Sequence, residues 1–253
     1  MKTILIAVFC IMVLHSNAWN LNNKNSTNSD VDSRFENQEM ESKTINEWNK
    51  LLFSVGGGLS YRFAKIADST PSEFKDYMRE LRWGENSSYA VLYFLNESYG
   101  FGLRYNTFQS DNKMEDISMD VDGDGLMNYG RMVDDMKIKF VGPVFSGRKI
   151  SQNGKNAFIS SVGIGYISYK NNAELAGFYM QLKGKTLGLF GGLTYRLGLS
   201  DALSLGVELS YTLGTLKKYE RTSQGSVRTV ELDKDEYDNL GRLELSLGLL
   251  LHP

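Results

Sequence analysis

Asp120, Asp122 and Asp124 fall at alternate positions in a D-x-D-G-D-G run that closes at Gly125, with Asn128 three residues further on. Short acidic side chains at that spacing before a glycine turn can converge on one hard cation, as in the first half of an EF-hand loop, and calcium is the cation such a set would take. The twelfth position of that loop, normally a bidentate Glu, is Arg131 here, with Asp134 and Asp135 as nearby substitutes. Eight acids stand between 111 and 135 against Lys113 and Arg131, so a divalent cation would relieve repulsion. Asp-Gly runs also make plain turns, and the sequence leaves both readings open. No other cofactor is called for.

Nucleophilic and zinc chemistry have little to work with. The chain contains one cysteine, Cys10, and two histidines, His15 and His252. Lys2, the apolar run Ile4–Leu14 and the small residues Ser16, Asn17 and Ala18 read as a secretory signal peptide over residues 1–18. Its removal takes Cys10 and His15 with it. Disulfides, thiolate catalysis and Cys/His metal sites are then excluded, and a Ser-His-Asp triad would have to draw its base from His252. We expect no catalytic residues and no enzyme. A net charge of -2 offers no basic excess to hold nucleic acid.

Residues 19–49 are rich in Asn, Ser, Asp, Glu and Lys and lack aliphatic periodicity, which reads as a disordered tail. From Leu51 onward the pattern becomes strict alternation, the period-2 signal of strands with two unlike faces. Leu51, Phe53, Val55, Leu59, Tyr61 and Phe63 share one face, opposed by Ser54, Gly56, Gly58, Ser60 and Arg62. Seven further apolar faces follow: Tyr89 to Leu95; Tyr99 to Tyr105; Met136, Ile138, Phe140 and Val144; Phe158, Val162, Ile164 and Tyr166; Leu187 to Leu197; Leu203 to Leu213; Leu243 to Leu251. Eight strands result, with short connections near 96–98, 147–155 and 200–202 and long ones at 66–86, 110–134, 171–184 and 217–240.

A strand of about 12 residues at ~3.3 Å per residue, tilted ~45°, projects onto roughly 28 Å, the thickness of a bilayer's hydrocarbon core. Eight strands enclose a lumen too narrow for all the leucine faces, so those faces are expected to point outward to lipid. The Gly, Ser, Thr and charged faces would then fill a polar interior. Tyr61, Tyr89, Tyr99, Tyr166, Tyr169, Tyr195 and Tyr211 lie near strand ends, as interfacial girdles require. The expected fold, over residues 50–253, is an all-β, eight-stranded, antiparallel, up-and-down transmembrane β-barrel with a disordered N-terminal tail.

This pattern resembles the small eight-stranded outer-membrane barrels of the OmpA and OmpX type, over about residues 50–251. The resemblance implies a Gram-negative outer membrane, both termini periplasmic and four long loops outside the cell. It also implies contact with outer-membrane lipid, lipopolysaccharide and the barrel-assembly machinery, in a monomer. Such barrels usually end in an aromatic residue, whereas this chain ends Leu251, His252, Pro253.

Seven charged residues fall on the polar face and are expected in the lumen: Arg62, Arg104, Lys139, Arg196, Glu208, Arg242 and Glu244. Unpaired charge there is costly, so the two glutamates should pair with the arginines and lysine, as a plug of salt bridges or as an ionic gate. In the first long connection Thr70, Pro71, Ser72 and Glu73 form a capping box before an amphipathic helix carrying Phe74, Tyr77, Met78 and Leu81. The expected function is non-enzymatic: a filled barrel with extended loops for surface interaction or envelope integrity. The alternative is a small porin-like or OmpW-like transport barrel.

Overall fold

The computed structural model describes residues 50–66, 70–120, 125–152 and 154–253. The signal peptide expected at 1–18 and the tail expected at 19–49 lie outside the described residues, as do Asp122 and Asp124.

Alternation builds strands in chain order: β1 (Leu51–Arg62), β2 (Trp83–Phe94), β3 (Tyr99–Met119), β4 (Asn128–Ile150), β5 (Asn156–Leu175), β6 (Phe178–Gly198) and β7 (Leu203–Leu216). The short β8 (Lys218–Ser223), β9 (Ser226–Glu231) and β10 (Asp238–Asn239) lead to β11 (Arg242–Leu251). From β1 to β7 each strand pairs antiparallel with the next, and β11 pairs with both β7 and β1. The result is a closed, up-and-down barrel of eight strands, β1–β7 and β11, with no free edge in the ring. At the closing seam Leu59, Leu245 and Leu209 stand in register, as do Val55, Leu249 and Leu205.

The barrel is lopsided. β1, β2, β7 and β11 run 12, 12, 14 and 10 residues, whereas β3, β4, β5 and β6 run 21, 23, 20 and 21. The long connections expected at 110–134 and 171–184 are therefore mostly strand, two hairpins that rise beyond the eight-strand ring. Ala176 and Gly177, with φ of 49° and 87°, turn β5 into β6. A two-residue hairpin turn with both φ values positive matches strand twist, and it is usually signalled by Asn-Gly rather than Ala-Gly. Gln224 and Gly225, at 49° and 77°, repeat the device between β8 and β9.

Among the described residues one helix, α1 (Ser72–Glu80), sits between β1 and β2. Pro71 is its N-cap, in an extended conformation with φ -54° and ψ 145°, and no side chain caps it. The expected capping box of Thr70 with Glu73 does not form, because Pro71 lies outside the first turn instead of opening it. Phe74, Tyr77 and Leu81 are buried, while Met78 is exposed.

Strand parity separates the two barrel surfaces. Leu187 and Leu189 of β6, Leu209 of β7, Leu243, Leu245 and Leu247 of β11 and the aromatic rings Tyr89, Tyr99, Phe101 and Tyr166 are exposed on the outside. β4 reverses its expected orientation: Met136, Ile138, Phe140 and Val144 point inward and are buried, and the outward row is Lys137, Lys139, Val141 and Phe145. Both faces of β4 carry apolar residues, and burying two ammonium groups without partners would cost more than burying the hydrocarbon. Tyr169, expected in a girdle, is buried inside with them. The interior is thus mixed: β4 and β5 add hydrocarbon, as do Leu52, Leu92, Phe94 and Leu250 from β1, β2 and β11, among the buried arginines, glutamates and small polar side chains. Gly142 and Gly165 face each other where β4 and β5 cross; a Cβ on either would lie 2.6–2.9 Å from the other's Cα.

Candidate functional site

The inward side chains form tiers from the short-turn end to the hairpin end. At the floor, Arg148 stacks over the Phe94 ring at 3.9 Å from its centroid and donates from Nε to the Glu97 carbonyl at 3.1 Å. Beside it Arg196 Nη1 lies 3.0 Å from His252 Nε2 and Arg196 Nη2 donates to the Gly154 carbonyl at 3.3 Å. His252 follows the last strand and is held by its backbone N–H on the Ala202 carbonyl at 2.9 Å.

In the middle tier Arg104 grips Glu208 with both terminal nitrogens and stacks over Phe190 at 4.1 Å, while Thr194 Oγ1 donates to the same carboxylate at 3.1 Å. Above it Arg242 donates from Nε to Glu244 Oε1 at 2.6 Å and from Nη2 to Asn106 Oδ1 at 3.0 Å. Asn106 Nδ2 returns a hydrogen bond to Glu244 Oε2 at 2.7 Å, and Ser210 Oγ adds another at 3.3 Å. Arg62 pairs with Asp238, from β10, and its Nη1 lies 3.0 Å from Met136 Sδ.

Six of the seven expected lumen charges therefore point inward, and both glutamates are bound by arginine. Lys139 is the correction: it lies on the outer face of β4, exposed, because the parity of β4 is set by Phe140 and its neighbours. The inward charges' partners Asn106, Thr194 and Ser210 stand on the polar faces that the alternation of β3, β6 and β7 marks in the sequence, whereas Asp238 comes from the last long connection, where no periodicity sets direction.

Little space remains. A cavity of about 20 Å³ lies between Arg104, Glu208, Thr194 and Val144, room for about one water.

His252 is part of the floor network. Its Nε2 is 3.4 Å from Ser204 Oγ but is engaged by Arg196, and its Nδ1 has no hydrogen-bond partner among the described residues. Burial, with Arg196 and then Arg148 nearby, pushes its pKa down to about 4. Between the ordinary histidine value and about 4 the unfolded chain takes up a proton that the folded chain refuses. Stability is then complete above about pH 6.5 and falls as pH drops toward 4. The midpoint of urea unfolding should show this slope in the unmodified protein and lose it in His252→Gln; parallel slopes would place the imidazole in water.

At the opposite end α1 closes the mouth. Tyr77 Oη lies 2.8 Å from Asp134 Oδ2 and 3.2 Å from the Asn112 carbonyl, Asn112 Nδ2 donates to the Tyr77 carbonyl at 3.1 Å, and Asn171 Nδ2 donates to Asp134. Burial raises the Asp134 carboxyl above the usual carboxylate range, partly offset by the hydrogen bonds from Asn171 and Tyr77. Phe74 clusters with Ile117 and Ala176 near the hairpin tips. Between the hairpin tips an open groove of about 510 Å³ is lined by Glu115, Tyr129 and the Arg131–Glu174 ion pair. In the acidic run Asp120 Oδ2 accepts the Gly125 backbone N–H at 3.0 Å and Asn128 Nδ2 donates to the Leu126 carbonyl at 3.5 Å. Those are turn bonds; Asp122 and Asp124, the other half of the expected cation set, lie outside the described residues.

No protein-family model matches the chain, and no curated protein matches it in sequence. Solved structures do. A major outer membrane protein from Thermus thermophilus aligns with a TM-score of 0.51 at 15% identity, over 79% of this chain and 98% of that one. The outer membrane protein OprG from Pseudomonas aeruginosa aligns with a TM-score of 0.50 at 13% identity, over 81% and 98%. The fold is that of an outer-membrane β-barrel. Identities this low speak to architecture alone, so the role must come from the lumen, the outer surface and the hairpins described above.

Proposed function

We propose that this protein is a closed, non-enzymatic barrel of a Gram-negative outer membrane, with both termini and the short turns in the periplasm. Its tall hairpins and α1 stand outside the cell, where they serve surface interaction or envelope integrity. The carrying observation is the filled lumen: the charged tiers at Arg196, Arg104 and Arg242 share the interior with the buried rings Phe94, Phe140 and Phe190, and the interior cavity beside Arg104 measures about 20 Å³. An exterior of exposed leucine and aromatic rows supports the membrane address. Small-solute transport would need those tiers to part.

Purified protein refolded into a planar bilayer is expected to give a flat current trace, with the folded state shown by a faster unboiled band on a gel. Discrete, reproducible conductance steps from the unmodified protein would overturn the closed-barrel reading in favour of transport.

A further inference from the structure

The outer surface of β4, β5 and β6 carries an unusual grouping just beyond its apolar band. Lys137, Lys170 and Lys183 stand opposite one another in register across the three strands, and in the next row Lys139, Ser168 and Lys185 do the same. The row after that is Val141, Tyr166 and Leu187, where the exposed apolar surface begins. Parity places all five lysines on the same outer face as those three residues. Their neighbours in the rows are Gln109 and Thr107 on β3 and Glu220 on β8.

Directly opposed side chains have Cβ atoms about 5 Å apart, and alternate residues along a strand are about 7 Å apart. Five ammonium groups thus share a patch roughly 10 Å by 7 Å. Like charges facing one another across strands destabilise a sheet. None of the five forms an ion pair with a carboxylate among the described residues; Glu220 stands at the patch's edge. The surplus is local, because the chain as a whole has a net charge of -2.

We propose that this patch binds the phosphate groups of lipid headgroups in the leaflet on the hairpin side. The inference rests on the membrane reading above. If Val141, Tyr166 and Leu187 face acyl chains, the lysine rows next to them lie at headgroup depth, and lysine stems can lie along the apolar rows while their ammonium groups reach the polar layer. A phosphate set between two lysines of one row meets both charges at once, and the twofold charge of a phosphomonoester suits a pair better than a single cation.

The test uses the full chain refolded into phosphatidylcholine vesicles, with diphosphorylated lipid A, its dephosphorylated form, or inorganic phosphate added. Binding is read as the shift in the temperature at which the fast-migrating folded band is lost. Diphosphorylated lipid A should raise that temperature, with the other two additions silent. Affinity should fall roughly fivefold for each lysine removed, so about a hundredfold in Lys137→Gln/Lys170→Gln/Lys183→Gln. Lys234→Gln, in the connection before β11, serves as the unchanged control, and unboiled mobility reports that each variant folds. Equal affinity in the triple variant, or an equal shift from dephosphorylated lipid A, overturns the proposal. A matching shift from inorganic phosphate overturns its lipid half. A chain that inserts and folds but ignores lipid A sinks the patch alone, whereas one that never yields the folded band in vesicles sinks the membrane reading beneath it.

Discussion

Glu244→Leu should lower the unfolding free energy of the refolded barrel by about 3–5 kcal/mol. Arg242 is 0% exposed and Glu244 1% exposed, so removing the carboxylate leaves a guanidinium with a full charge in the barrel interior and takes one hydrogen bond from Asn106 and another from Ser210. Most of the loss comes from the stranded cation and not from the attraction that disappears. The paired replacement Arg242→Met/Glu244→Leu should therefore recover most of the stability, because it spares the desolvation of both ions. Urea titrations of the folded band supply the three free energies. A single-variant loss below about 1 kcal/mol, the size of an exposed ion pair, would mean that water reaches Arg242. The closed-lumen reading would fall with it.

The arginine and glutamate positions were visible in the sequence because strands with one apolar and one polar face declare their parity at every second residue. β7 and β11 show this most clearly: Leu205, Val207 and Leu209 alternate with Ser204, Gly206, Glu208 and Ser210, and the structure keeps that division. β4 is ambiguous in the sequence because it carries hydrocarbon on both sides; the packing of Phe140 against Phe190 and the cost of burying Lys137 and Lys139 send Phe140 in and Lys139 out. The height of the hairpins was hidden for a different reason. Their outward rows, such as Asp135, Asn172 and Gln181, are polar on a face that is apolar lower down, so the alternation fades while the hydrogen-bond ladder continues. The pairing of Arg62 with Asp238 and the docking of Tyr77 on Asp134 and Asn112 depend on how connections fold back over the mouth, and no local pattern encodes that.

Leu247→Arg should cost about 2–4 kcal/mol in a bilayer, whereas Leu199→Arg should cost about 0–1. Leu247 lies between Val207 and Gly57 near the centre of β11's apolar row, and Leu199 lies at the short turn from β6 to β7. Their fractional exposures are nearly the same, 61% and 62%. Accessible area therefore cannot separate them, and in a water-soluble protein both substitutions would stay within about 0.5 kcal/mol of neutral. Only a surrounding medium whose polarity changes with depth makes one arginine expensive and the other cheap. Measured by urea unfolding from phosphatidylcholine vesicles, a difference of at least about 1.4 kcal/mol, a factor of ten in the folded population, identifies lipid as that medium. Two near-zero values would mean that the leucine rows meet water, and the membrane address and the headgroup depth of the lysine rows would both be lost.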